Sequence, residues 1–113
     1  MQKPAKLLNP FIEIDNALYF SVEDIAAMKM HTICGRGKRK DFFDIYALLE
    51  IYDWKFLTQV FEKKYDKSQF YILWKSIQYF ADADEDPIMR GFTPFNKSWG
   101  TIKEIIIEKI NII

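Results

Sequence analysis

Two runs of apolar residues at helical spacing lie on either side of a short, very basic bend between Ser21 and Tyr52, and that pattern asks for a helix hairpin. Ser21 is the candidate N-cap of the first helix, with Asp24 at the third helical position in a short version of the capping box. Ile25, Met28, Thr32 and Ile33 follow as its apolar stripe, and Gly35 is the natural residue to end it. The second helix starts near Lys40. Phe42, Phe43, Ile45, Tyr46, Leu48, Leu49 and Tyr52 give it a wide apolar face.

A buried hairpin does not need the charges this one carries. Arg36, Lys38, Arg39 and Lys40 fall within five residues, directly before Asp41 and Asp44, which share one face of the first turn of the second helix. Lys29 and Arg36 are seven apart and point roughly the same way if the last turn of the first helix holds. Two readings stand. The aspartates complement the helix dipole beside a solvated turn, or the cations and carboxylates form a phosphate or nucleotide site.

The remaining chain is read as a mainly α fold: a compact bundle of about five helices after a short N-terminal β-ribbon. Residues 1–113 form a single domain, with 1–20 as extended lead-in and 21–113 as helical bundle. Pro4, Asn9 and Pro10 punctuate the lead-in. Phe11-Ile-Glu-Ile-Asp and Ala17-Leu-Tyr-Phe read as two strands joined at Asp15-Asn16. A two-stranded ribbon is marginal alone and asks for support from the helices or from a further sheet. Asp53 caps a third helix ending near Tyr65. Ser68 opens a fourth, carrying Phe70, Leu73, Trp74, Ile77 and Phe80. From Ala81 to Lys97 the helical pattern stops, with Pro87, Gly91 and Pro94 as breakers. Ser98 starts a last helix with Trp99, Ile102, Ile105, Ile106, Lys109 and Ile113 close to one stripe; the Ile105–Ile113 run is apolar on more than one face and expects cover on several sides.

Composition narrows the function classes. The 16 basic and 16 acidic residues cancel, so no global field draws in nucleic acid and any attraction rests on the local basic cluster. Cys34 is the sole cysteine, which rules out an intrachain disulfide and fits a cytoplasmic setting. Neither a signal peptide nor a membrane span is expected. Asp82, Asp84 and Asp86 imitate the start of a calcium loop, but Pro87 stands where glycine is needed and Thr93 where glutamate is needed. His31 and Cys34 are too few for a zinc site. Glu13 and Asp15 are ordinary polar positions of an alternating strand, and the aromatic residues fall at core spacing.

The run Ser21, Asp24-Ile-Ala-Ala-Met-Lys29, Arg36-Gly-Lys38, Lys40-Asp41-Phe-Phe-Asp44-Ile-Tyr46 resembles the downstream half of the AbiEii-type nucleotidyltransferase toxins, relatives of the polymerase β nucleotidyltransferase superfamily. The resemblance implies catalytic roles for Lys29, as the third-motif lysine near the triphosphate, and for Asp41, as the fourth-motif acid with Asp44 the second candidate. Arg36 would hold phosphate, with Lys38, Arg39 and Lys40 beside it. The family also needs a Gly-Gly or Gly-Ser turn followed by Asp-x-Asp or Asp-x-Glu, whose carboxylates hold Mg²⁺. Gly35 is the first glycine of this sequence, so no such turn precedes Asp24. The expectation is therefore the C-terminal part of an α+β enzyme, inactive alone, with no metal ligands or cofactor of its own. Mg²⁺ and a nucleoside triphosphate belong to the complete enzyme. Implied partners are a missing or separately encoded catalytic half or a second copy, an antitoxin and an RNA acceptor, in a bacterial toxin–antitoxin or phage-defence system. The alternative is a stand-alone helical module that binds a protein or RNA.

Overall fold

A computed structural model of the chain describes residues 7–35, 37–86 and 94–111. The hairpin predicted at the start is present: β1 (Ile12–Ile14) pairs antiparallel with β2 (Ala17–Tyr19), with Ile12 opposite Tyr19 and Ile14 opposite Ala17. Asp15 and Asn16 both take positive φ, 50° and 68°. Those values belong to a type I′ turn, whose twist matches the strands it joins, and Asp and Asn tolerate that region better than other non-glycine residues.

Five helices of ten to thirteen residues follow, together with one short turn of helix. Ser21 starts α1 (Val22–Ile33) as expected, its hydroxyl accepting the Asp24 amide. Gly35 follows the end of α1 at φ 109°, a conformation that costs glycine nothing. Then come α2 (Arg39–Ile51) and α3 (Trp54–Lys64), the latter capped by Asp53, whose carboxylate accepts the Phe56 amide. After α4 (Lys67–Ser76) and the four-residue α5 (Ala81–Asp84), Ser98 caps α6 (Trp99–Ile110). No helix among the described residues is long and apolar enough to cross a membrane.

The core sits where α1 packs on α2 and α3, with α6 laid along α2 and α4 closing the side. Phe42, Phe61, Leu57, Leu73, Ile77, Ile102 and Ile106 have no exposed surface. Ile105 and Ile107 pack partly buried against the same core, so the chain's own helices cover much of the many-sided apolar run. Ile113 lies outside the described residues.

The sequence reading is corrected at four places. α4 starts at Lys67, after Asp66, and not at Ser68. The buried stripe of α1 is Ala26, Ala27, Met30 and Ile33, joined by Asp24, while Ile25 and Thr32 are exposed. α4 stops at Ser76: the Ile77 amide still bonds the Leu73 carbonyl in the helical pattern, but the Tyr79 amide shortens to the Ser76 carbonyl and Phe80 enters a separate turn. The stretch expected to be irregular contains α5 and a 3₁₀ turn at Pro94–Asn96; Pro87 and Gly91 lie outside the described residues.

Candidate functional site

The basic bend stands at the tip of the α1–α2 hairpin. Lys38 is the N-cap of α2. A lysine side chain has no acceptor, so only the return half of a capping box forms: Asp41 Oδ2 accepts the Lys38 amide at 3.0 Å. Asp41 thus fixes the direction in which the chain enters α2. Gly37 is buried against the same helix, where an added Cβ would lie 2.8 Å from Phe42 Cε2. Only glycine lets the bend rest on that ring.

Besides the Lys38–Asp41 cap, two of the site residues named from the sequence meet through their side chains. Lys29 Nζ donates to Asp44 Oδ2 at 3.1 Å across the α1–α2 hairpin, with 49% and 42% of the two side chains exposed. An ion pair this open contributes little to folding. Lys29→Ala is expected to change stability by less than about 0.5 kcal/mol, read from the denaturant midpoint. Both groups keep water-facing surface on which a ligand can compete. Lys38 and Lys40 are exposed beside them, at the positive end of the α2 dipole.

Arg39 is arranged differently. Its guanidinium donates to the carbonyls of Ala83 at 2.8 Å and Asp84 at 3.0 Å and lies 5.1 Å from the centre of the Trp99 ring. It fastens α5 to α2 and α6. Asp84 completes that clamp by accepting from Trp99 Nε1 and Lys103 Nζ. Its carboxyl is raised by burial and pulled lower by those two donors, with a net fall below the usual range. Asp84, first met as a mock calcium ligand, is a structural acceptor. Arg36 lies outside the described residues.

A cavity of about 170 Å³ opens beside the bend, lined by Ile33, Gly35, Gly37, Lys75, Ser76 and Tyr79. The larger cavity, about 400 Å³, lies between the α2–α3 connection and Lys109 and contains none of the site residues, so size does not mark the site. Among the described residues no three or more His, Cys, Asp or Glu side chains are grouped to hold a metal ion. Cys34, half-buried with its thiol pushed up to about 11 by burial, has little thiolate character, and His31 stacks on Tyr65 at 4.3 Å.

Of the ionic contacts the sequence reading missed, the buried one matters most. Asp24 is fully buried and bonds Lys64 Nζ at 2.8 Å, and it also accepts the Leu8 and Asn9 amides and the Ser21 hydroxyl. Burial alone pushes this carboxyl up, but the Leu8 amide, Lys64, Ser21 and the Asn9 amide together hold it well below the usual carboxylate range. The legible signal was Lys64 itself, which continues the Leu57, Val60, Phe61 stripe of α3 into the core. The node ties the lead-in, α1 and α3 together and sets the position of Lys29 one and a half turns along α1.

The family model described as "Nucleotidyl transferase AbiEii toxin, Type IV TA system" matches residues 7–105. An uncharacterized protein of Aquifex aeolicus (strain VF5) is 34% identical over 107 residues, covering 92% of this chain and 50% of the relative. The chain therefore spans about half the length of the curated relative it matches. No solved structure matches it.

Proposed function

Because the chain belongs to the AbiEii nucleotidyl transferase toxin family, we propose that it is the C-terminal, phosphate-handling part of a nucleotidyltransferase and transfers no nucleotide alone. The observation that carries this reading is the Lys29–Asp44 contact beside the Lys38–Lys40 turn. It sets Lys29, proposed as the family's phosphate-facing lysine, against Asp44, one of the two proposed acids, on a half-exposed surface rather than in the core. An incoming triphosphate would replace Asp44 as the partner of Lys29, whose ammonium then offsets phosphate charge. Asp44, released from Lys29, or Asp41 next to it, would accept the proton of the attacking hydroxyl. Lys38 and Lys40 would hold the outer phosphates, and Arg39 would keep α5 and α6 in place behind them. The fourth cation proposed for this group is Arg36.

The complete enzyme's Mg²⁺ would neutralise charge on the transferring phosphate. The described residues of this chain do not fit that ion. Glu13 and Asp15 are exposed on the hairpin with no third carboxylate grouped with them. The ion's ligands, with the glycine turn, are therefore assigned to the rest of the family polypeptide. An RNA acceptor and an antitoxin, in a bacterial defence setting in the cytoplasm, follow from the same reading.

Incubating the chain with Mg²⁺, labelled nucleoside triphosphates and an RNA pool is expected to give no incorporation above background. Joined to the remaining half of a family member, it should support transfer, and Lys29→Ala should then lower the rate by about 100-fold or more. In the isolated chain a nucleoside triphosphate should bind weakly, lose affinity with salt, and bind less well to Lys29→Ala. Incorporation by the chain alone, abolished by Lys29→Ala or Asp41→Ala, would sink the division of labour. Salt-insensitive RNA binding untouched by Lys29→Ala would favour an interaction module instead.

A further inference from the structure

Among the described residues, many of the exposed large apolar side chains lie on or beside the hairpin. All six residues of β1 and β2 face solvent, and Leu18 and Ile14 are 67% and 54% exposed. Cross-strand pairing puts Ile12, Ile14 and Tyr19 on one face. Leu18 lies on the other, next to the Phe11 and Phe20 rings, which touch at 5.2 Å between centres. A strand apolar on both faces belongs inside a sheet covered on both sides, not on a solvated ribbon. Among the described residues these two strands pair only with each other. Neither carries the lysine or proline by which free sheet edges resist pairing.

We infer that the β1–β2 hairpin is a docking surface for a β-sheet with a basic rim, supplied by the part of an AbiEii-family protein that this chain does not span. The inference rests on the reading that catalytic groups lie in that part. Three observations select this occupant. The match spans 92% of this chain but 50% of its relative, so the relative has about as much polypeptide again available to cover the face. Residues 7–28 contain no Lys or Arg, while Glu13 stands opposite Leu18 within the hairpin and Asp15 and Glu23 follow close by in sequence. A second copy would set one acidic hairpin against another, whereas a sheet with a basic rim complements it. The hairpin is also held ready: Asp24 accepts the Leu8 and Asn9 amides at 2.9 and 3.1 Å, anchoring the segment that leads into β1.

The test exchanges the matched segment of the Aquifex relative for this chain and compares amide exchange of the hairpin in the isolated chain and in the chimera. In the isolated chain Ile12–Tyr19 should exchange almost as fast as unstructured peptide. In the chimera exchange should slow by about 100-fold. Ile14→Lys with Leu18→Lys should return it to the fast rate, while the isolated chain carrying both changes keeps its helical circular dichroism and melting temperature. Equal exchange in both proteins, slowing that ignores the two substitutions, or a chimera that only aggregates while the isolated chain stays soluble, would overturn the inference. A concentration-dependent dimer of the isolated chain with a protected hairpin would overturn it in favour of a second copy. Nucleotide transfer by the chimera is scored separately: a protected hairpin without transfer leaves the docking surface standing and removes the transferase reading.

Discussion

Lys64→Met is expected to cost about 3 kcal/mol of folding stability, roughly 10–20 °C in melting temperature for a domain of this size. The loss follows from what stays behind. Asp24 has no exposed surface, and without Lys64 it keeps the Leu8 and Asn9 amides and the Ser21 hydroxyl but no opposing charge. Breaking one side of a buried pair is costly because the other ion remains desolvated. The value falls at the low end of the usual range because three donors continue to serve the carboxylate. Asp24→Asn should be damaging as well, since an amide offers its N–H₂ to neighbours that are themselves donors. The double change should cost less than the sum of the two, because the partners share one interaction. Urea midpoints for the four proteins measure the coupling; additive losses would mean that the pair does not act as a unit.

The same node sets an acid limit. The folded-state pKa of Asp24 is below its ordinary value of 3.8, so the unfolded chain takes up the proton first. The stabilisation is therefore fully present above about pH 5 and drains away as pH falls through 3.8 and toward the lower folded value. Stability of the unaltered chain should fall steeply below pH 4, and Asp24→Asn should flatten that fall. An identical acid profile in the two proteins would assign the acid sensitivity to other carboxylates.

Short-range rules made much of the fold legible. Asp15-Asn16 between two apolar runs gave the turn, Ser21, Asp53 and Ser98 gave helix starts, and Gly35 gave a helix end. Each of these acts within about four residues, the reach of a cap or a tight turn. The end of α4 was illegible because no glycine or proline marks it; Ile77 is drawn into the core as the backbone turns over Ser76. The Asp24–Lys64 contact links residues 40 apart, and Arg39 finds its acceptors 44 and 45 residues downstream. No local rule carries such information. At the bend, the spacing of charges was plain, but what separates Lys29, half-exposed against Asp44, from Arg39, fastened to α5, is tertiary packing. A cation-rich turn read as one cluster resolves into groups with different duties.

That difference makes Phe42 the residue where fold and site meet. Its ring is fully buried, touches Phe80 and Trp99 at centre distances of 4.9 and 5.9 Å, and forms the floor beneath Gly37. Phe42→Ala should cost about 4 kcal/mol, the sum of lost transfer energy and an unfilled cavity. It should also weaken triphosphate binding beyond what Lys29→Ala does, because the bend then has nothing to rest on. Gly37→Ala attacks the same contact from above. The added methyl meets a ring with no room to retreat, so a loss of about 1–3 kcal/mol is expected from overpacking. Phe42→Leu combined with Gly37→Ala makes space where the methyl intrudes and should recover part of both losses. Denaturant midpoints and nucleoside triphosphate titrations on these variants separate two ways of losing the site. Lys29→Ala should reduce binding at nearly unchanged stability, whereas Phe42→Ala should reduce both together. If Phe42→Ala kept full affinity in the folded protein, the ring would hold the core but not the bend, and the cations would be positioned by α1 and α2 alone.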